Sequence, residues 1–192
     1  TAPCSARPIL IDSIHPVVKN WKKAHHHRPV TPTATCTAAS ISTQPKPGTA
    51  TLTFKGESGA EKTLTVQTVS GPAVWQGQHN TEKSIRAFAR SCFQYAINQR
   101  QDLWFSTKDT IAKVYDGDFK QIFEEEYEQT YKAQFQELGL TYFYTLIDDA
   151  VARVIRSRGD FIWALKNYDG DVMSDMVATA FGSLAMMTSV LV

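Results

Sequence analysis

The stretch Phe161-Ile162-Trp163-Ala164-Leu165-Lys166-Asn167-Tyr168-Asp169-Gly170-Asp171-Val172-Met173-Ser174-Asp175 decides the reading of the chain. Five apolar residues, a polar turn and an amphipathic run read as strand over 161–165, turn, and helix over 172–181. Asp171 stands where the helix opens and Asp175 follows four residues later, so one helix face presents both carboxylates to a hard cation such as magnesium, which takes oxygen ligands. That is half of a metal site. The pair Asp148-Asp149, in Leu146-Ile147-Asp148-Asp149-Ala150-Val151-Ala152, offers the rest, from the same chain or from a partner chain. The two are neighbours, about 100° apart round a helix, so only one of them faces a given ion.

Outward from this stretch, strands and helices alternate. Ile85, Phe88, Ala89, Cys92, Phe93, Ala96 and Ile97 recur at helical spacing behind the cap candidates Asn80 and Thr81. Leu103-Trp104-Phe105 reads as a short buried strand, followed by a helix near 110–115 and a longer one over 119–137. Residues 141–145 read as strand, 146–156 as helix, and the uncharged end 185–192 as a buried strand. This order implies an α/β fold with a parallel or mixed sheet covered on both faces. Upstream, apolar residues and threonines alternate with period two over 50–54 and 63–68, a β-hairpin that is marginal alone and must pack on something. Residues 1–45 carry less pattern, and 31–40 read as linker. The expected division is therefore an N-terminal segment 1–45, a hairpin 46–70 and an α/β domain 71–192.

Bulk composition excludes more than it assigns. Twenty Lys and Arg against 19 Asp and Glu leave no charge bias toward nucleic acid or an anionic membrane. Cys4, Cys36 and Cys92 are too few and too irregularly spaced for a disulfide framework or a zinc site. No apolar run approaches the roughly 20 residues of a spanning helix. The consecutive His25, His26 and His27 splay in different directions and make a poor metal site. The expected compartment is cytoplasmic or mitochondrial.

Beyond the acidic motifs, the chain carries Ser106-Thr107-Lys108-Asp109-Thr110-Ile111, Tyr115-Asp116-Gly117 and the terminal Gly182-Ser183-Leu184-Ala185-Met186-Met187-Thr188-Ser189-Val190-Leu191-Val192. In this order and at this spacing they resemble the eukaryotic-type NADP-dependent isocitrate dehydrogenases, most closely from Gly71 to Val192. The resemblance implies a partial isocitrate/isopropylmalate dehydrogenase-like three-layer α/β sandwich with a small β clasp. Members of that family run to roughly twice this length, so the chain reads as a central fragment. Its expected chemistry is oxidation of isocitrate by hydride transfer to NADP and loss of carbon dioxide, served by Mg2+ or Mn2+. Asp171 and Asp175 match metal ligands from one subunit of a homodimer, and Asp148 one contributed across it. Lys108 matches a lysine that reaches into the other subunit's site and moves a proton. Arg156 matches a contact to the cofactor phosphate, whereas Arg153 stands where the family carries glutamine. Arg7 corresponds, with a one-residue offset, to a substrate-gripping arginine. The hairpin falls in the clasp where strands of two subunits stack.

The likeness breaks after Trp21-Lys22-Lys23. Where the family reads proline, three isoleucines and glycine, this chain reads Ala24-His25-His26-His27-Arg28, and repeated ATC followed by GGC, shifted by one base, spells that histidine-arginine run. Residues 24 to about 43 therefore read as a frame-shifted stretch. With the family's substrate arginine and tyrosine lost there, the fragment alone is expected to be inactive. The competing readings are a non-catalytic truncated product and a related metal-dependent decarboxylating 2-hydroxy-acid dehydrogenase.

Overall fold

The computed structural model describes residues 4–8, 16–21, 26–29, 36–37, 41–42, 47–182 and 187–191, with side chains for 16–21 and 47–182. The strands β1 (Cys4–Pro8) and β2 (His26–Pro29) precede six strands that form three two-stranded pairs: β3 (Cys36–Thr37), β4 (Ile41–Ser42), β5 (Gly48–Lys55), β6 (Glu61–Val69), β7 (Val74–Trp75) and β8 (Gln78–His79). Then come α1 (Glu82–Gln99), β9 (Asp102–Thr107), α2 (Tyr115–Glu126), a π-helical turn (Tyr127–Tyr131), α3 (Lys132–Leu138), β10 (Tyr142–Leu146), α4 (Ile147–Arg156), β11 (Phe161–Leu165), α5 (Asn167–Phe181) and β12 (Met187–Leu191). The chain forms two compact units, residues 36–79 and the remainder. The boundary thus falls at 79/80 rather than 70/71, because β7 and β8 pair with β4 and β3.

In the smaller unit β5 and β6 form the expected hairpin, with Leu52 opposite Leu64 and Thr53 opposite Thr63. Alternation puts Leu52, Phe54 and Leu64 on one face, and all three are more than half exposed. Threonines line the other face, where the hydroxyls of Thr49 and Thr68, and of Thr53 and Thr63, lie 3.0 Å apart. Gly59 sits at φ +82°, a left-handed turn position that glycine adopts without steric penalty.

The larger unit is built on a six-stranded sheet ordered β10-β9-β11-β2-β1-β12. Strands β10, β9, β11 and β2 run parallel, and β1 runs antiparallel to both β2 and β12. Successive side chains of β11 enter opposite cores. Ile162 and Ala164 join Phe88, Phe93, Phe105, Phe123 and Phe135 beneath α1, α2 and α3. Phe161, Trp163 and Leu165 join Ala150, Val154, Val177 and Phe181 from α4 and α5. The sheet is therefore the middle of three layers, as the sequence implied. Trp21 belongs to the second core, where it stacks on Phe181 at 5.1 Å and donates its Nε1–H to the Val154 carbonyl at 2.9 Å.

Several expectations change. Helix α5 starts at Asn167, not Val172, because buried Gly170 and Ser174 extend the stripe of Val177, Ala178 and Phe181 back by two turns. Small residues had read as a turn there; Asp171 lies inside the helix, one turn in. Residues 110–114 form turns rather than helix, consistent with Ile111 and Val114 having no core to enter, each being more than three-quarters exposed. The single helix expected over 119–137 is interrupted by the π turn, whose Tyr127 and Tyr131 both stack on Phe93. Strand β2 runs through the anomalous stretch, and β1 and β2 belong with the sheet rather than apart from it. The open side of β11 needs hydrogen-bond partners whatever the side chains are, and β2 supplies them. Apart from β2, β3 and β4, the residues of 24–43, and residues 185, 186 and 192 of the terminal segment, lie outside the described residues.

Phe93 is fully buried and meets five rings, those of Phe123, Tyr127, Tyr131, Phe135 and Tyr142. Phe93→Ala should cost about 3–5 kcal/mol. Denaturant unfolding followed by circular dichroism measures it, and a loss under about 1 kcal/mol would show that this core is not the structural centre.

Candidate functional site

Parallel strands bring their carboxyl ends to one edge of a sheet, the edge at which open α/β sheets collect ligands. Here β9 ends at Thr107 and delivers Lys108, β10 ends at Leu146 and delivers Asp148, and β11 ends at Leu165 and delivers Lys166 and the start of α5. Lys108 Nζ donates to Asp148 Oδ1 at 2.6 Å. This bond is the main reason that the Asp148 carboxyl is held below its ordinary pKa. The next residue points elsewhere: Asp149 accepts from Thr145 Oγ1 at 2.7 Å and from Arg153 Nε at 2.5 Å, bonds that lower its pKa as well.

Behind Lys108 lies a buried carboxylate. Asp116, in the first turn of α2 and only 1% exposed, accepts the Lys108 backbone N–H at 2.9 Å and Lys166 Nζ at 2.5 Å through its two oxygens. Lys166 also approaches Asp169 at 3.5 Å. Burial pushes the Asp169 carboxyl up, with Lys166 opposing. Beside them the Tyr144 hydroxyl lies 2.8 Å from Thr107 Oγ1, and burial pushes its pKa to about 12. Lys120 bridges from above, bonding Asp109 at 3.2 Å and lying 4.7 Å from the Tyr144 ring centroid. Burial raises the Asp109 pKa, but hydrogen bonds with Tyr144 and Lys120 outweigh it and leave the group below its usual value.

Asp171 and Asp175 are exposed, one turn apart on α5. Their spacing leaves both side chains on neighbouring positions of one helix surface. Among the described residues, no three His, Cys, Asp or Glu side chains converge closely enough to hold a metal ion. Asp148 is thus engaged with Lys108, while Asp171 and Asp175 offer two oxygen donors without a third from that set. Arg156 lies at the end of α4 in a shallow cleft with Trp104, Phe143, Asp149 and Arg153. Arg153 is held over the Phe143 ring at 5.2 Å as well as by Asp149. Arg7 lies in β1 opposite Thr188, and its side chain is outside the described residues. His26 and His27 are described only as backbone within β2, and His25 is outside.

Two of these groups had no role in the sequence reading. Asp116 falls on the buried face of α2, with Phe119, Ile122, Phe123 and Glu126. An acid at an apolar helix position is the signal that marks it, since such a group is kept only with partners. Glu126 obeys the same rule, held by Arg90 at 2.9 and 3.0 Å and by Arg86 at 3.3 Å. Lys166, in the polar stretch after β11, carries no such local signal.

Residues 54–192 match the sequence model described as isocitrate/isopropylmalate dehydrogenase. Over 192 residues, 96% of this chain, it is 45% identical to the mitochondrial NADP isocitrate dehydrogenase of Saccharomyces cerevisiae, and over 146 residues 50% identical to that of Sus scrofa. The peroxisomal NADP isocitrate dehydrogenase of Candida tropicalis is 45% identical over 190 residues. These matches cover 44%, 35% and 45% of the three relatives, so the chain spans less than half of their length. The match over 54–192, together with a six-stranded sheet between two helical layers, establishes that the chain belongs to the isocitrate/isopropylmalate dehydrogenase family.

Proposed function

We propose that the chain is part of an NADP-dependent isocitrate dehydrogenase whose active site is divided between two copies. The observation that carries the reading is the delivery of Lys108, Asp148 and the Asp171/Asp175 helix from the carboxyl ends of three adjacent parallel strands. The names of the relatives supply substrate and cofactor: isocitrate and NADP. Their mitochondrial and peroxisomal naming makes an organelle the natural compartment.

The donor chemistry fits a divalent hard cation in two halves. Asp171 and Asp175 provide oxygens from one chain, and Asp148 is exposed and lies outside that pair, so it suits a site completed by a second chain. Mg2+ or Mn2+, when bound, supplies Lewis acidity toward the hydroxyl and carboxylate oxygens of the substrate. Lys108 carries the proton traffic, because its ammonium stands at the strand edge beside Asp148. Arg156 meets the cofactor phosphate as a charged donor on the cleft of α4. Arg7 grips a substrate carboxylate in the same way. The exposed apolar face of the hairpin, Leu52, Phe54 and Leu64, packs against the same face of a second copy to form the dimer clasp.

Titrating the 192-residue chain with Mn2+ by electron paramagnetic resonance tests the metal assignment, with isocitrate present and absent. Asp171→Asn should weaken Mn2+ binding by at least about tenfold, and isocitrate should tighten it in the parent chain only. Unchanged affinity in Asp171→Asn would remove α5 from the metal site. In the same chain, with Mn2+ and NADP added, NADPH formation at 340 nm should stay at background.

The Lys108–Asp148 pair yields a pH expectation with a definite sign. A carboxyl held low in the folded state stabilises it above the ordinary aspartate range of about 3.9, and the benefit is lost as pH falls through the lowered value. Carbon-detected NMR of the Asp148 carboxyl should give a midpoint below that range, and Lys108→Met should move it upward. An Asp148 midpoint indifferent to Lys108→Met would mean that the pair is not formed in solution.

A further inference from the structure

We propose that Asp116 is a positioning residue for Lys108, and that it ties the strand end carrying this lysine to the strand end carrying α5. Asp116 Oδ2 accepts the Lys108 N–H at 2.9 Å, and Oδ1 accepts Lys166 Nζ at 2.5 Å. The carboxylate is 1% exposed, so neither bond is shared with bulk solvent, and both acceptor oxygens are committed. Three strand ends meet through two ion pairs: Asp148 from β10 holds the tip of the Lys108 side chain, Asp116 holds its backbone, and the same carboxylate holds Lys166 after β11.

The geometry restricts Lys108 at both ends. Its side chain has four rotatable carbons and loses direction unless the backbone beneath it is fixed. The residues after it, 109–114, are turns with exposed Ile111 and Val114, so packing does not fix that loop. Ala112 N–H and Ile111 N–H return to the Lys108 carbonyl, at 3.0 and 2.9 Å, which folds the turn on itself. Asp116 attaches the Lys108 end of the turn to α2, while Lys120 holds Asp109 at 3.2 Å and the Asp116 and Asp118 N–H groups hold the Ala112 and Val114 carbonyls at 2.8 and 2.9 Å. The proposal uses the reading that Lys108 moves the proton, but its test does not depend on turnover.

The experiment uses the 192-residue chain. Amide exchange at Lys108 is followed by NMR, and acylation of lysine amines with acetic anhydride is followed by peptide mass spectrometry. Asp116→Asn keeps the shape of the side chain but offers one oxygen, so it cannot satisfy both partners. Lys108 acylation and amide exchange should each rise by about fivefold, the factor that one net hydrogen bond supplies, while Lys55 and Lys62 on the hairpin stay unchanged. Lys166→Met, which spares the bond to Lys108, should leave Lys108 close to its parent rate. Asp148→Asn should raise Lys108 acylation in the parent and add little in Asp116→Asn. Equal loosening by Lys166→Met and Asp116→Asn, or an unaltered Lys108 in Asp116→Asn, overturns the proposal. If Asp116→Asn does not fold, the parent chain decides: a through-hydrogen-bond coupling from Lys108 15N to Asp116 13Cγ supports the proposal, and its absence with fast Lys108 exchange contradicts it. Failure of the isocitrate dehydrogenase reading would leave all of these rates unaltered.

Discussion

Strand β11 is the constraint on which the rest of the larger unit depends. Its five residues are all buried, and their alternation sends two side chains into one core and three into the other. A strand of this kind has no solvated face, so helices must cover it on both sides and strands must flank it on both edges. The register with β9 then follows residue by residue, Phe161 with Asp102 through Leu165 with Ser106. Trp163 fixes it further by donating its buried indole N–H to Ser106 Oγ at 3.0 Å. Slipping the pairing by one residue would exchange the two cores and strand that N–H.

Because the register is fixed, the strand ends are fixed, and the polar groups beyond them are brought together without converging in the interior. Lys108, Asp148 and Lys166 each sit one or two residues past a parallel strand. Burial decreases outward from Asp116, through Lys166 and then Lys108, to Asp148, which is 65% exposed at its side chain. The outer pair is weak by itself, as exposed ion pairs are. Its direction comes from the buried carboxylate behind it. A strand-edge site with an inner fixed layer and an outer exchangeable one suits chemistry in which an exposed carboxylate must change partners.

Much of this was legible in the sequence because the signals were local. The stripe Ile85 to Ile97 is fully buried in α1, Thr81 caps that helix by accepting from the Ser84 N–H at 3.2 Å, and the hairpin pairs as its threonines and leucines alternate. The start of α5 was not legible, since Gly170 and Ser174 help a helix only when a wall lies close enough to need small residues. Strand β2 was hidden for a different reason: backbone pairing with β11 carries no side-chain pattern. Asp116 carries no local signal of its role, because its meaning lies in partners 8 and 50 positions away.

Complementation of two defective chains separates a metal site divided between two chains from one held within a single chain. Asp148→Asn and Asp171→Asn chains would be prepared separately, then unfolded together, refolded as a mixture and titrated with Mn2+. If Asp148 serves the site that holds the partner's Asp171 and Asp175, random pairing restores about a quarter of the sites, although neither variant binds tightly alone. If all three carboxylates serve one site within one chain, mixing restores none, and the divided site is contradicted.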